Sequence, residues 1–378
     1  MPTTYYIAKT GDNGNTGTSP GNEWATHAYA ATQISPGDTV LIRGGTYTEY
    51  ISNVYASGAG VGSETTIKNY PDETVVIAPT ADRCLYVYEK SHLIFDGMDC
   101  NGSNVTYNAV KFESSAVTTI TNLTFKNGVV RSAAETGLLV AVGAADGDNI
   151  SIIDTIMHSN GGSSDFNHGL YLQTSDSLVS GCTAYSNAGW GLHVYHSGGG
   201  NDNVTLSNCK TYSNGTSTTR GSGVVFYTGT GHLCYNLISY DNLESGIQIA
   251  CGSSEFYNIT AEGNTTYGLR IDSGSSNIVK NLYALNNSTA NLSDLGTSTT
   301  KSNNKTSGNI WADSTNHDYT LTQSSPGADL SGIFTTDYAG VTRSAWDVGA
   351  YEYVASGVTK SSKSISSRIF LPTFQFRM

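Results

Sequence analysis

Apolar and polar residues alternate along this chain in very short runs, and the runs recur. Five of them follow a glycine: Gly169-Leu-Tyr-Leu, Gly191-Leu-His-Val, Gly223-Val-Val-Phe, Gly246-Ile-Gln-Ile and Gly268-Leu-Arg-Ile. Aligned on the glycine, the next position reads Leu170, Leu192, Val224, Ile247, Leu269, and the third reads Leu172, Val194, Phe226, Ile249, Ile271. Both columns are apolar and the residue between them varies, which is the pattern of a strand with one buried face. The columns extend upstream to Val110/Phe112 and Leu85/Val87. A helical period shows only briefly, around residues 24–32.

A second set of segments ends in asparagine, at Asn160, Asn187, Asn214, Asn242, Asn264 and Asn287, with separations of 27, 27, 28, 22 and 23 residues. Eight residues before each lie Ile152, Val179, Leu206, Cys234, Phe256 and Val279; five before, from the second repeat, lie Cys182, Cys209, Leu237, Ile259 and Leu282. A coil of about 22 residues with short strands and Asn or Gly turns predicts an all-β fold, a single-stranded right-handed parallel β-helix. Each coil would advance one strand spacing, about 4.8 Å. The asparagines would form a ladder of side-chain amides. At roughly 1.5–3 kcal/mol per buried aliphatic side chain, the two columns after glycine can dominate stability. Cys182 and Cys209 fall on adjacent coils, a placement open to a disulfide. The six cysteines contain no C-x-x-C pair, which argues against zinc.

The reading divides the chain into an N-terminal cap and first coil (1–50), β-helix coils (51–296), a closing segment (297–353) and a basic, apolar tail (354–378). PGDTVLIRGGTY (36–47) resembles the opening of bacterial and phage β-helix proteins, and SSPGADLSG…DYAGVTRSAWDVGAYEY (324–353) resembles the closing segment of secreted bacterial ones. The resemblance, to pectate-lyase-like polysaccharide-active proteins, implies a carbohydrate ligand and an extracellular, cell-surface or virion setting. The tail, ending IFLPTFQF, reads either as a loose extension or as a segment for homo-oligomerisation or docking to an assembly partner.

Charge narrows the partners. A net charge of −12 argues against nucleic acid or an anionic membrane surface as a general partner, and weakly against polyanionic sugars unless a local cationic patch overrides it. No apolar run approaches the ~18 residues of a membrane span, and no secretory signal is visible after Met1.

Candidate chemistry lies on the positions between and after the apolar columns. They read Tyr86, Lys111, Leu139, Tyr171, His193, Val225, Gln248, Arg270 and Tyr88, Glu113, Ala141, Gln173, Tyr195, Tyr227, Ala250, Asp272. Such a face suits a sugar chain, because rings stack on pyranoses and polar tips bond hydroxyls; tyrosine columns also arise simply because aromatics suit strands. Long corners holding SSDFNH (163–168) and TSTTRGS (216–222) on one border, and VGAADGDN (142–149) and HSGGGNDN (196–203) on the other, would wall a groove over residues 137–227. Asp165, Asn167, His168, Trp190 and Arg220 come from that neighbourhood. β-Elimination on a uronate needs a base, an acid and a cation. His168 or His193 would be the base, Tyr171 or Tyr195 the acid, and Arg220 or Lys111 the neutraliser. Lys111, Asp165, Asn167, Gln173, Trp190, Tyr227, Gln248 and Arg270 would bind substrate. Two rivals stand beside this lyase reading: a non-enzymatic adhesive or virion spike protein, and a glycoside hydrolase using loop aspartates. Asp146, Asp148 and Asp202 are also oxygen-rich enough for Ca²⁺, although turn chemistry explains the same residues.

Overall fold

In a computed structural model, which describes residues 2–143, 147–217 and 219–355, the chain winds as a right-handed parallel β-helix. Its coils turn at residues held in the left-handed backbone region. Between Leu170–Leu172 and Leu192–Val194 these are Asp176, Gly181 and Ser186 (φ 47°, 67° and 52°); one coil later they are Asn203, Asn208 and Ser213 (φ 56°, 52° and 51°). Gly, Asn and Asp tolerate that conformation best, and Ser hydroxyls can bond locally in turns, which accounts for the composition of the chain.

The strands that follow the glycines form one ten-stranded parallel sheet, from Ile51–Ser52 through Leu85–Tyr88, Val110–Glu113, Leu138–Ala141 and onward to Ala290–Asp294. The strands leading to the asparagines form two further faces, joined into one 20-stranded sheet through the long strands Leu233–Tyr240 and Glu255–Glu262. Register matches the glycine alignment: Leu170 pairs with Leu192, Leu192 with Val224, Val224 with Ile247 and Ile247 with Leu269. Both apolar columns, and the two columns before the asparagines, are buried along the axis. Gly191 is fixed by close approach between coils. A Cβ there would lie 2.6 Å from the Gly223 carbonyl oxygen and 2.8 Å from Asn214 Nδ2.

The asparagine ladder is continuous. The Nδ2 of Asn160, Asn187, Asn214, Asn242 and Asn264 each donates to Oδ1 of the next asparagine at 2.9–3.0 Å. At a second corner the Nδ2 of Asn236 donates to Asn208 Oδ1, and that of Asn281 to Asn258 Oδ1. These residues also dock the returning C-terminal segment. Asn258 donates to the Asp347 and Gly349 carbonyls, and Arg343 donates to Asn236 Oδ1.

The short helix His27–Gln33 starts at Thr26, whose Oγ1 accepts from the Tyr29 amide. Thr300–Ser302 still pairs with Ile278–Lys280, so the coils run a few residues past the boundary expected at 296. Cys182 and Cys209 are free buried thiols, each turned to backbone carbonyls, Cys182 to Ile152 and Ser180 and Cys209 to Val179 and Ser207. Residues 356–378, most of the tail, lie outside the described residues.

Candidate functional site

Tyr171, His193, Val225, Gln248 and Arg270 do form one column on the outer side of the ten-stranded sheet. The two histidines, however, are not open to solvent. Instead of standing as a wall, the described residues of the corners 163–168 and 216–222 fold over this part of the face and roof it. His168 is buried and His193 is only 5% exposed. Trp190 closes over them, its ring stacked on His168 at 4.9 Å and set edge-on to His193 at 4.4 Å. Tyr171 stacks on His193 from the preceding coil at 4.7 Å.

The box is tied down by bonds outside the strand columns. The Trp190 amide donates to His168 Nδ1, and the indole Nε1 donates to Glu244 Oε2 at 3.1 Å. Glu244 also accepts from the Gly221 amide at 2.9 Å, which pins the second long corner. Burial pushes His168 down to about 3, and Arg220 nearby acts in the same direction. Burial lowers His193 well below the usual imidazole range, helped by His168 and Arg220. Neither ring nitrogen of His193 has a hydrogen-bond partner among the described residues. Both imidazoles are therefore neutral at physiological pH.

The roof presents its own groups outward. Arg220 lies over the Phe166 ring at 4.5 Å and the Trp190 ring at 5.5 Å, with Asp165 3.9 Å from its Nε. Its side chain is 41% exposed and Phe166 is 63% exposed. Thr219 Oγ1 donates to Asp165 Oδ2, and Asn167 Nδ2 donates to the Gly161 carbonyl, so these two shape the corner. Beyond the roof, Tyr195 lies 5.6 Å from His193 and nearly parallel to it, while Tyr227 turns perpendicular to Tyr195 at 84° and is 46% exposed. Tyr227 thus has a ring face not taken up by Tyr195.

Other expected residues lie along the same face but are engaged elsewhere. Gln173 Oε1 accepts from the Val142 amide. Gln248 donates to Asp272, which also pairs with Arg270, so these three lock one another one or two coils further on. Lys111 pairs with Glu113 at 2.7 Å, and the Tyr86 hydroxyl donates to the other Glu113 oxygen at 2.6 Å. Asp148 and Asp202 are not brought together. Asp148 bridges Ser175 of the next coil, whose neighbour Asp176 bonds the Asp202 carbonyl of the coil beyond. Asp202 Oδ1 accepts from the Thr230 amide and hydroxyl, as a turn residue does. Asp146 lies outside the described residues. Among the described residues no group of three or more His, Cys, Asp or Glu side chains is placed to hold a metal ion. Among them, too, no helix is long and apolar enough to cross a membrane.

Fold and face together define a right-handed β-helix with a bordered, aromatic and partly cationic outer sheet. Residues 5–250 match the family described as Pel9A-like, right handed beta helix region, and the chain belongs to that family. Among solved structures it is similar to pectate lyase Pel9A, at 17% identity over 94% of this chain and 97% of that one, with a TM-score of 0.66. It is also similar to a rhamnogalacturonan lyase (18% identity, 80% and 87% covered, TM-score 0.55). A third is the GH136 lacto-N-biosidase from Eubacterium ramulus (11% identity, 79% and 68% covered, TM-score 0.51). No curated protein matches the sequence.

Proposed function

We propose that this protein binds an acidic polysaccharide along the outer face of the ten-stranded sheet, between residues 137 and 227. The observation that carries the reading is Arg220, a half-exposed cation lying over an exposed aromatic ring at the border of a face that also offers Tyr227. A guanidinium can grip a carboxylate with two parallel hydrogen bonds, and a free aromatic face stacks on a sugar ring. Membership of a family with polysaccharide-active structural neighbours supports the same reading.

A second reading is cleavage of that glycan by β-elimination, favoured by one box that carries Arg220 over Trp190 and the phenols Tyr171 and Tyr195 stacked on His193. Arg220 would neutralise the uronate carboxylate, and a phenol would protonate the leaving oxygen. The C5 proton would go to His168 or His193, which reach a sugar only when the roof of Trp190 and Arg220 opens.

The test is incubation with acidic and neutral polysaccharides, following binding, new reducing ends and the ultraviolet absorbance of unsaturated uronate, in wild type and Arg220→Gln. Binding of acidic chains that weakens in the variant supports the groove. Absorbance rising with reducing ends adds elimination, and reducing ends alone point to the loop aspartates. Silence across the panel overturns the reading in favour of a structural protein.

A further inference from the structure

The arrangement at Arg220 is repeated on the same border of the face. Arg83 precedes the strand Leu85–Tyr88 as Arg220 precedes Val224–Phe226, and its guanidinium lies over the rings of Tyr107 at 4.9 Å and Tyr86 at 5.3 Å. Tyr107 comes from the corner of the next coil and is 40% exposed, as Phe166, from the corner two coils before Arg220, is exposed. Of the other cations on or beside this sheet, Lys111 is matched by Glu113, Arg220 by Asp165, Arg270 by Asp272 and Lys301 by Asp294. Arg83 makes no ion pair among the described residues, and its Nε is buried without a hydrogen-bond partner. Its Nη edge is what remains for a ligand. The Arg83 guanidinium sits at the level of the first two strands of the set Leu85–Tyr88, Val110–Glu113, Leu138–Ala141, Leu170–Leu172 and Leu192–Val194. Arg220 reaches back to the level of the last two, through Phe166 and Trp190. The two are therefore separated by three strand spacings, about 14 Å. Between them the outward residues include Leu139 and Ala141, a low floor with no charge.

We infer that the corner of Arg83 and Tyr107 is a second anion subsite, which holds an acidic substituent of the same glycan chain about three strand spacings from the one at Arg220. This rests on the polysaccharide reading above and adds a length requirement to it. A short acidic oligosaccharide reaches one arginine; a longer one bridges both, and the second contact is gained within a single bound chain.

The experiment is calorimetric titration of wild type, Arg83→Gln, Tyr107→Ala and Arg220→Gln with oligogalacturonates from the disaccharide to the hexasaccharide, with thermal unfolding of each variant as the folding control. The expected result is that Arg83→Gln weakens hexasaccharide binding by about tenfold, the scale of one charged hydrogen bond. Disaccharide binding is unchanged, and Tyr107→Ala follows the same length dependence. Loss of affinity in Arg220→Gln at every length, with Arg83→Gln and Tyr107→Ala like wild type, overturns the second subsite and leaves the groove standing. Equal loss at all lengths in Arg83→Gln also overturns it. If the wild type binds no oligomer, the groove and the subsite fall together.

Discussion

The backbone amide of Trp190 donates to Nδ1 of His168 at 3.1 Å while the indole of the same residue stacks on that imidazole, 14° from parallel. Nδ1 is thereby an acceptor, and the neutral ring carries its proton on Nε2. A second proton would remove the acceptor and place a charge under the indole.

Acid should therefore loosen this protein. His168 falls from 6.5 to about 3 on folding and His27 to about 4, both by burial, and His193 moves the same way. Between those values the unfolded chain binds more protons than the folded one. The stabilisation is complete above pH 6.5 and is lost as pH falls toward 3, at up to about 1.4 kcal/mol per pH unit for each histidine. Urea midpoints measured from pH 7 to pH 4 should fall accordingly. His168→Gln keeps an acceptor but cannot titrate, so its acid arm should be shallower. An arm as steep as wild type would contradict the assignment.

His193→Phe should raise stability at pH 7 by about 1 kcal/mol. Both ring nitrogens are buried and unpartnered among the described residues, each a cost of order 1–3 kcal/mol, and phenylalanine keeps the stacking on Tyr171. Extra ring volume offsets part of the gain. A measured loss would show that the imidazole is hydrogen-bonded in solution.

Asn214→Ala should cost about 3 kcal/mol with little change in the denaturant slope. It removes the Nδ2 donations to Asn242 and to the Ala184 carbonyl, and it strands the Asn187 donors that use Asn214 Oδ1. A change below about 1 kcal/mol would mean that the ladder is ornamental.

Most of the coil architecture could be read from spacing alone, because a solenoid repeats its buried positions at nearly constant intervals. The columns at Leu170–Leu269 and Ile152–Val279 needed only alignment on Gly and Asn. The second ladder was equally visible, since Asn208, Asn236, Asn258 and Asn281 each stand six residues before a ladder asparagine. What spacing could not give was the path of the long corners. Alternation placed His193 on the outer face, but whether that face is bare depends on where residues 163–168 and 216–222 lie. Glu244, which anchors Trp190 and Gly221, sits in a corner outside every column, and Arg83 and Tyr107 precede their strands in the same way.

The proposed function requires that the ten-stranded sheet, and not the opposite wall, receives the glycan. Two aromatic sets separate these alternatives. Tyr185, Tyr212 and Tyr240 stack within 3° of parallel at 4.8–5.0 Å, so the inner faces of the stack are occupied by neighbouring rings, whereas Tyr227 stands perpendicular to Tyr195. Titrating wild type, Tyr227→Ala and Tyr212→Ala with an acidic polysaccharide bound by the wild type tests it directly. The predicted result is affinity about tenfold weaker in Tyr227→Ala, in line with the ~1–1.5 kcal/mol of an aromatic stacking contact, and unchanged in Tyr212→Ala. Loss in Tyr212→Ala with Tyr227→Ala unaffected would place the glycan on the other face and contradict the account.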